Sequence, residues 1–340
     1  VSADDSAVPH PRETLTLHGH VEAEHAFLDA YRGGRMPHAW LIGGARGIGK
    51  ATLAYRMARF VFAHPDPANP AVQNAESLAL APDNPAARRV AAQGHSDLLA
   101  LERVEDDKGK MSTVIPVDMV RKTIGFFGST AGEGGWRVCI VDSADELNAA
   151  GANALLKILE EPPAKCLLLV VSHAPGRLLP TIRSRCRRLA LRPLSGEDVA
   201  RSLADALQRD ATEADIKAAA TASDGSVARA LDLLGGTALK VREQVNTLLG
   251  ALPAVNPRDL HALGDALGRD ESAFAAFVDA VRDWLSARVT AARAEPSRLA
   301  RFADVWDRLN KAARDVEIFH LERKPMVFNV FGWLAEASRG

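Results

Sequence analysis

The chain has 340 residues, 47% of them hydrophobic and 25% charged, with a formal net charge of −1. This length exceeds one comfortable core and points to two or three domains of ordinary soluble composition. Near-zero charge excludes a global field drawing the chain to nucleic acid, so any such contact must come from a local patch or through partners.

The N-terminal residues are polar and carry no signal-peptide core, and no apolar run reaches membrane-spanning length. A cytoplasmic location without membrane contact is expected. From Gly19 to Gly33 apolar residues recur at helical spacing (Val21, Ala26, Phe27, Ala30, Tyr31). A short strand, Ala39-Trp40-Leu41-Ile42, runs into the loop Gly44-Ala45-Arg46-Gly47-Ile48-Gly49-Lys50, and a helix continues to about Phe62. Residues 64–94, with Pro65, Pro67, Pro70, Pro82 and Pro85, read as a surface excursion holding a short helix near Ala86 to Ala92. A strand is predicted over Asp97 to Val104, then a charged turn over Glu105 to Lys110. The run Thr113-Val114-Ile115 and a helix opened by Pro116 follow.

Trp136 to Val141 is an apolar strand ending at Asp142, and a helix from Ala149 to Glu161 stops at Pro162-Pro163. Cys166 to Ser172 reads as a parallel strand buried on both faces, and Leu189 to Leu191 as a last short strand. Strands alternating with helices predict a doubly wound α/β domain ending near Arg192. Beyond it, Ser195 to Gln208, Thr212 to Thr221 and Ser226 to Leu234 read as short helices, closed by Gly235-Gly236. From Ala238 onward the pattern is helical, broken at Pro253, Pro257, Pro296 and Pro325. Trp284, Trp306, Phe319 and Trp333 are expected to pack in its core, with a subunit interface as the alternative.

The glycine loop carries the first chemistry. Strand, G-x-x-x-x-G-K, then helix is the setting in which backbone N–H groups cradle phosphates and a Lys reaches the outer ones. The next residue normally gives Mg²⁺ a hydroxyl. Here it is Ala51, and Thr52 sits one position too late. The Asp142 that ends an apolar strand suits metal holding through water, but Ser143 follows it where a water-orienting Glu is usual in AAA+ ATPases. Glu146 lies further on, at the predicted start of a helix. Both departures point against hydrolysis. The three cysteines, Cys139, Cys166 and Cys186, form no C-x-x-C pair, which argues against a zinc site or a disulfide framework.

Asn153-Ala154-Leu155-Leu156-Lys157-Ile158-Leu159-Glu160-Glu161-Pro162-Pro163, followed by Ser184-Arg185-Cys186, resembles the bacterial clamp-loader family of AAA+ proteins. Motifs carry that resemblance over residues 18–235; beyond them only length and helical character do. It implies a P-loop, RecA-like AAA+ α/β domain (1–192), a helical lid (193–236) and a helical collar for oligomerisation (237–340). It implies partners too: other loader subunits in a hetero-pentamer, and through them the ring-shaped sliding clamp and primed DNA. By position, Lys50 matches the phosphate-loop lysine and Asp142 the metal-associated Asp. Ser172 or His173 falls near the sensor, and Arg229 resembles the lid's sensor arginine. Arg185 matches the arginine finger that serves a neighbour's ATP. The nucleotide set would be Gly44, Gly47, Gly49, Lys50, Thr52, Asp142 and Arg229, inherited and able to hold ATP or ADP, with no cofactor required. No cysteine lies within 64–94, where the family's motor subunits carry a four-cysteine zinc module. The implied role is a non-motor subunit. An active AAA+ motor and a stand-alone P-loop transferase are the rivals.

Overall fold

The computed structural model describes residues 9–103, 115–128, 132, 135–234, 237–268, 270–291, 296–319 and 321–339. The predicted turn over 105–110, the run 113–114 and the 235–236 pair lie outside them. Two compact units emerge, one ending at Ala228 and the other running from Arg229 to Gly340.

The first unit is built on a parallel sheet. Its strands are β1 (Ala39–Gly43), β2 (Leu98–Leu101), β3 (Arg137–Val141), β4 (Cys166–Ser172) and β5 (Arg187–Ala190), in the order β2-β3-β4-β1-β5. The three central strands are buried along their whole length, which is why they read as unbroken apolar runs. Period-two alternation sends their side chains to two separate cores. Trp40, Ile42, Val138, Ile140, Leu167 and Leu169 meet Phe27 and Leu28 of α1 (Val21–Arg32), and Leu53 and Met57 of α2 (Lys50–Ala63). On the other face Leu41, Cys139, Val141, Leu168 and Val170 meet α5 (Val117–Gly128), α6 (Ala149–Glu160) and α7 (Pro180–Arg185). All three cysteines are buried free thiols, and burial pushes each of them upward in pKa, Cys186 to about 11.

The 64–94 excursion carries two short helices, α3 (Pro70–Gln73) and α4 (Pro85–Ala91), each with Pro in the first turn and an Asn cap. It is fastened to the domain by Val72, Leu78 and Val90, which enter the α1–α2 core. The hydroxyl of Tyr31 also donates to His64 O at 2.5 Å. β5 starts two residues earlier than predicted. Its Arg187 and Arg188 are exposed on an edge strand, so no apolar pattern marks them. After β5 come α8 (Gly196–Leu207) and α9 (Ala214–Ala222), capped in turn by Ser195 and by no side chain. α10 (Val227–Leu234) spans the division between the units.

The second unit is helical: α11 (Thr237–Gly250), α12 (Pro257–Leu267), α13 (Glu271–Ala291), α14 (Pro296–Phe319) and α15 (Arg323–Arg339). Its core holds Phe277, Leu285, Phe302, Leu309, Val330 and Leu334. Two expectations change here. Pro325 breaks nothing, since it lies in the first turn of α15, where a missing N–H costs no helical bond. Trp284, Trp306 and Trp333 do pack against the core, but Phe319, the last residue of α14, is 66% exposed. Among the described residues, no helix is long and apolar enough to cross a membrane, and no cluster of His, Cys, Asp or Glu could hold a metal ion.

Candidate functional site

The strand registers bring Gly43 beside Ser172, and Val141 beside Val170. The carboxyl ends of β1, β3 and β4 therefore open on one edge of the sheet, where parallel α/β folds bind ligands. The loop 44–49 leaves β1 there. Gly47 and Gly49 take left-handed φ values of 75° and 91°, which an L side chain would strain. A Cβ at Gly47 would also meet Ala228 Cβ at 2.7 Å. Four consecutive loop carbonyls have donors. Ala45 O accepts from Lys50 Nζ, and Ser226 Oγ donates to Arg46 O at 3.0 Å. Gly47 O accepts from Val227 N at 2.9 Å, and Ile48 O pairs with His20 Nε2 at 2.7 Å. α2, by contrast, begins without a side-chain cap. Its orphan N–H groups and the positive end of its dipole are what an anion would use.

Lys50 is 3% exposed. Burial lowers its ammonium to a pKa of about 8, against the opposing pull of Asp142 and Asp145. The residue after it offers only the Ala51 methyl. Thr52 cannot stand in, because one helical step turns its side chain roughly 100° away. Gly44, Gly47, Gly49, Lys50 and Asp142 thus gather at one edge, while the metal-facing hydroxyl is missing.

Around Asp142, three described carboxylates, Glu102, Asp145 and Glu146, are already engaged. Burial, then the charge of Glu102, raises the pKa of Asp142 itself. Glu102 accepts from Tyr55 Oη at 2.5 Å. Asp145 accepts the backbone N–H of His173 at 2.8 Å. Burial alone would raise the Asp145 carboxyl, but the Ser172 hydroxyl and that N–H hold it low. Glu146 closes a 3₁₀ turn, Ala144–Glu146, rather than opening a helix. It is ion-paired with Arg103 at 3.1 Å. Ser143, where a water-orienting acid would stand, pairs its hydroxyl with His173 Nε2 at 3.1 Å. The His173 imidazole is pushed toward its neutral form by burial and by Lys50. Among the described residues, Glu102, Asp145 and Glu146 are each engaged with another partner. The sequence marks Ser172 and His173 but not Glu102, Arg103 or Asp145, whose partners lie 28 to 47 positions away. A separate cavity of about 530 Å³, lined by Arg12, Tyr55, Glu102 and Arg103 among others, includes none of the phosphate-loop residues.

Arg229 is held within the second unit. Its guanidinium reaches Asp283 at 2.5 Å and Asp279 at 3.8 Å, and the buried Arg242 shares Asp283 at 2.7 Å. Arg185 is placed differently. It ends α7, whose Ile182 and following Cys186 are buried and pin the helix to the sheet. Its side chain is 36% exposed; Nη1 donates to Thr181 O at 3.1 Å, and Nη2 lies 3.0 Å from Glu160.

Residues 19–195 match a family described as DNA polymerase III, delta subunit. DNA polymerase III subunit delta' of Pseudomonas aeruginosa is 40% identical over 180 residues, covering 51% of this chain and 50% of that protein. The subunit delta' of Escherichia coli K12 is 32% identical over 246 residues, 72% of this chain and 67% of the relative. DNA polymerase III subunit tau of Bacillus subtilis is 28% identical over 218 residues, 62% of this chain and 36% of that one. The chain thus spans from about a third to two thirds of the length of these relatives. A gamma-subunit-related protein from Thermotoga maritima superposes over 92% of this chain with a TM-score of 0.40 at 16% identity, a likeness too slight to add to the topology above.

Proposed function

The chain belongs to the delta-prime family of DNA polymerase III clamp-loader subunits, and on that premise we propose that it is a non-motor subunit lending Arg185 to ATP bound by a neighbour. The contrast between its two nucleotide-related edges carries this reading. At its own loop the metal hydroxyl is replaced by Ala51 and the water-orienting acid by Ser143, while Glu102, Asp145 and Glu146 are engaged elsewhere. At the other edge Arg185 keeps a solvent-facing guanidinium on a helix pinned to the core.

A guanidinium is always charged and planar, so it can bridge phosphate oxygens as charge shifts in phosphoryl transfer. Delivered from an adjacent subunit, it ties that subunit's hydrolysis to the geometry of the interface. A chain can lose its own turnover and still be required if this residue remains. The loop 44–50 is then inherited architecture that can still hold ATP or ADP, with no cofactor required. The partners are the other loader subunits in a hetero-pentamer and, through them, the sliding clamp and primed DNA. Copurification tests the partnership. The chain should migrate as one complex with subunits of the gamma or tau type at micromolar concentration, and separate elution would contradict the assignment.

A further inference from the structure

The contact between α6 and α7 has a feature that helix stability does not explain. Glu160 is the last residue of α6 and Glu161 its C-cap. Two acids at a helix C-terminus oppose the helix dipole. A residue chosen for α6 alone would be neutral or basic there. What Glu160 does have is Arg185, whose Nη2 it meets at 3.0 Å while Thr181 O takes Nη1 at 3.1 Å. These contacts come from two elements, α6 and α7, and they hold the two terminal nitrogens of the guanidinium. A free arginine loses substantial rotamer freedom when it is fixed. One already held by a carboxylate and a carbonyl loses less on meeting a phosphate. The grip uses two of the five N–H donors and leaves the others for an anion.

We infer that Glu160 is a positioning residue for Arg185, setting the guanidinium in the orientation that a neighbour's triphosphate requires. This rests on the reading of Arg185 given above. Glu160 touches no phosphate; its effect passes through Arg185 alone. Because the pair is exposed, its contribution is modest, and it should act on turnover rather than on ATP affinity.

The test is a double-mutant cycle in the complex reconstituted with its ATP-hydrolysing subunits, with ATP as substrate. Glu160→Gln keeps the shape and removes the charge. It should lower single-turnover hydrolysis about 2- to 5-fold, the range an exposed ion pair supports. KM for ATP and the unfolding midpoint of the chain should stay unchanged. In an Arg185→Ala background Glu160→Gln should cause no further loss. Wild-type turnover in Glu160→Gln beside a depressed Arg185→Ala overturns the inference and leaves the Arg185 reading standing. Losses that multiply in the double variant also overturn it, since Glu160 would then act by another route. Unchanged hydrolysis in Arg185→Ala overturns the reading and the inference together.

Discussion

Arg185→Ala is expected to lower hydrolysis at the adjoining subunit's site by about 10³-fold or more in kcat, the range known for arginine fingers. The loss belongs to the transition state, where charge spreads over the equatorial phosphate oxygens and a planar cation matches them. Assembly and folding should survive. The Arg185 side chain is partly exposed, and its pair with Glu160 is a surface pair; such pairs contribute about 0–1 kcal/mol. Arg185→Lys should remain deficient, because a point charge cannot bridge two oxygens. Single-turnover hydrolysis in the reconstituted complex measures this. Steady-state turnover will fall less if the other sites draw their arginines from other subunits. Unaltered single-turnover rates would remove Arg185 from the mechanism.

The largest stability effect is expected at Glu24. This α1 carboxylate pairs with Arg56 Nε of α2, and both side chains are under 10% exposed. Arg56 also donates to Leu15 O at 2.6 Å. Glu24→Ala would leave the guanidinium buried with only that carbonyl, at a cost of about 3 kcal/mol. For a unit of this size that corresponds to a fall in Tm of roughly 6–12 °C. Removing both charges is different. Glu24→Leu combined with Arg56→Met should return to within about 1–2 kcal/mol of wild type, the remainder being the lost bond to Leu15. Thermal and urea unfolding distinguish the cases. A single variant within about 0.5 kcal/mol of wild type would mean that water reaches Arg56 in solution.

What was legible in the sequence follows from the range of the forces involved. The central strands β1, β3 and β4 announce themselves because burial on both faces demands unbroken apolar runs. The glycine loop is visible because only glycine takes the backbone at Gly47 and Gly49 without strain. The apolar pattern shows only part of β5, because its exposed Arg187 and Arg188 are held by pairing with β1, not by hydrophobicity. Phe319 matches a core position, or an interface one, in the sequence but is exposed, because periodicity cannot tell a helix's last turn from its middle. Asp145 and Glu146 look alike in sequence. Their separate ties to His173 and Arg103 come from chain segments that only folding brings together. Glu160 and Arg185 are 25 residues apart and belong to different helices, so their pairing was equally invisible.

If the chain is a non-motor subunit as proposed, hydrolytic chemistry has left its own loop and survives in what Arg185 gives a neighbour. The decisive experiment is ATP turnover by the isolated chain, measured with and without Lys50→Ala. No turnover above background is expected in either protein, whether or not nucleotide binds. Sustained hydrolysis that disappears on Lys50→Ala would make the chain a motor and overturn the non-motor role.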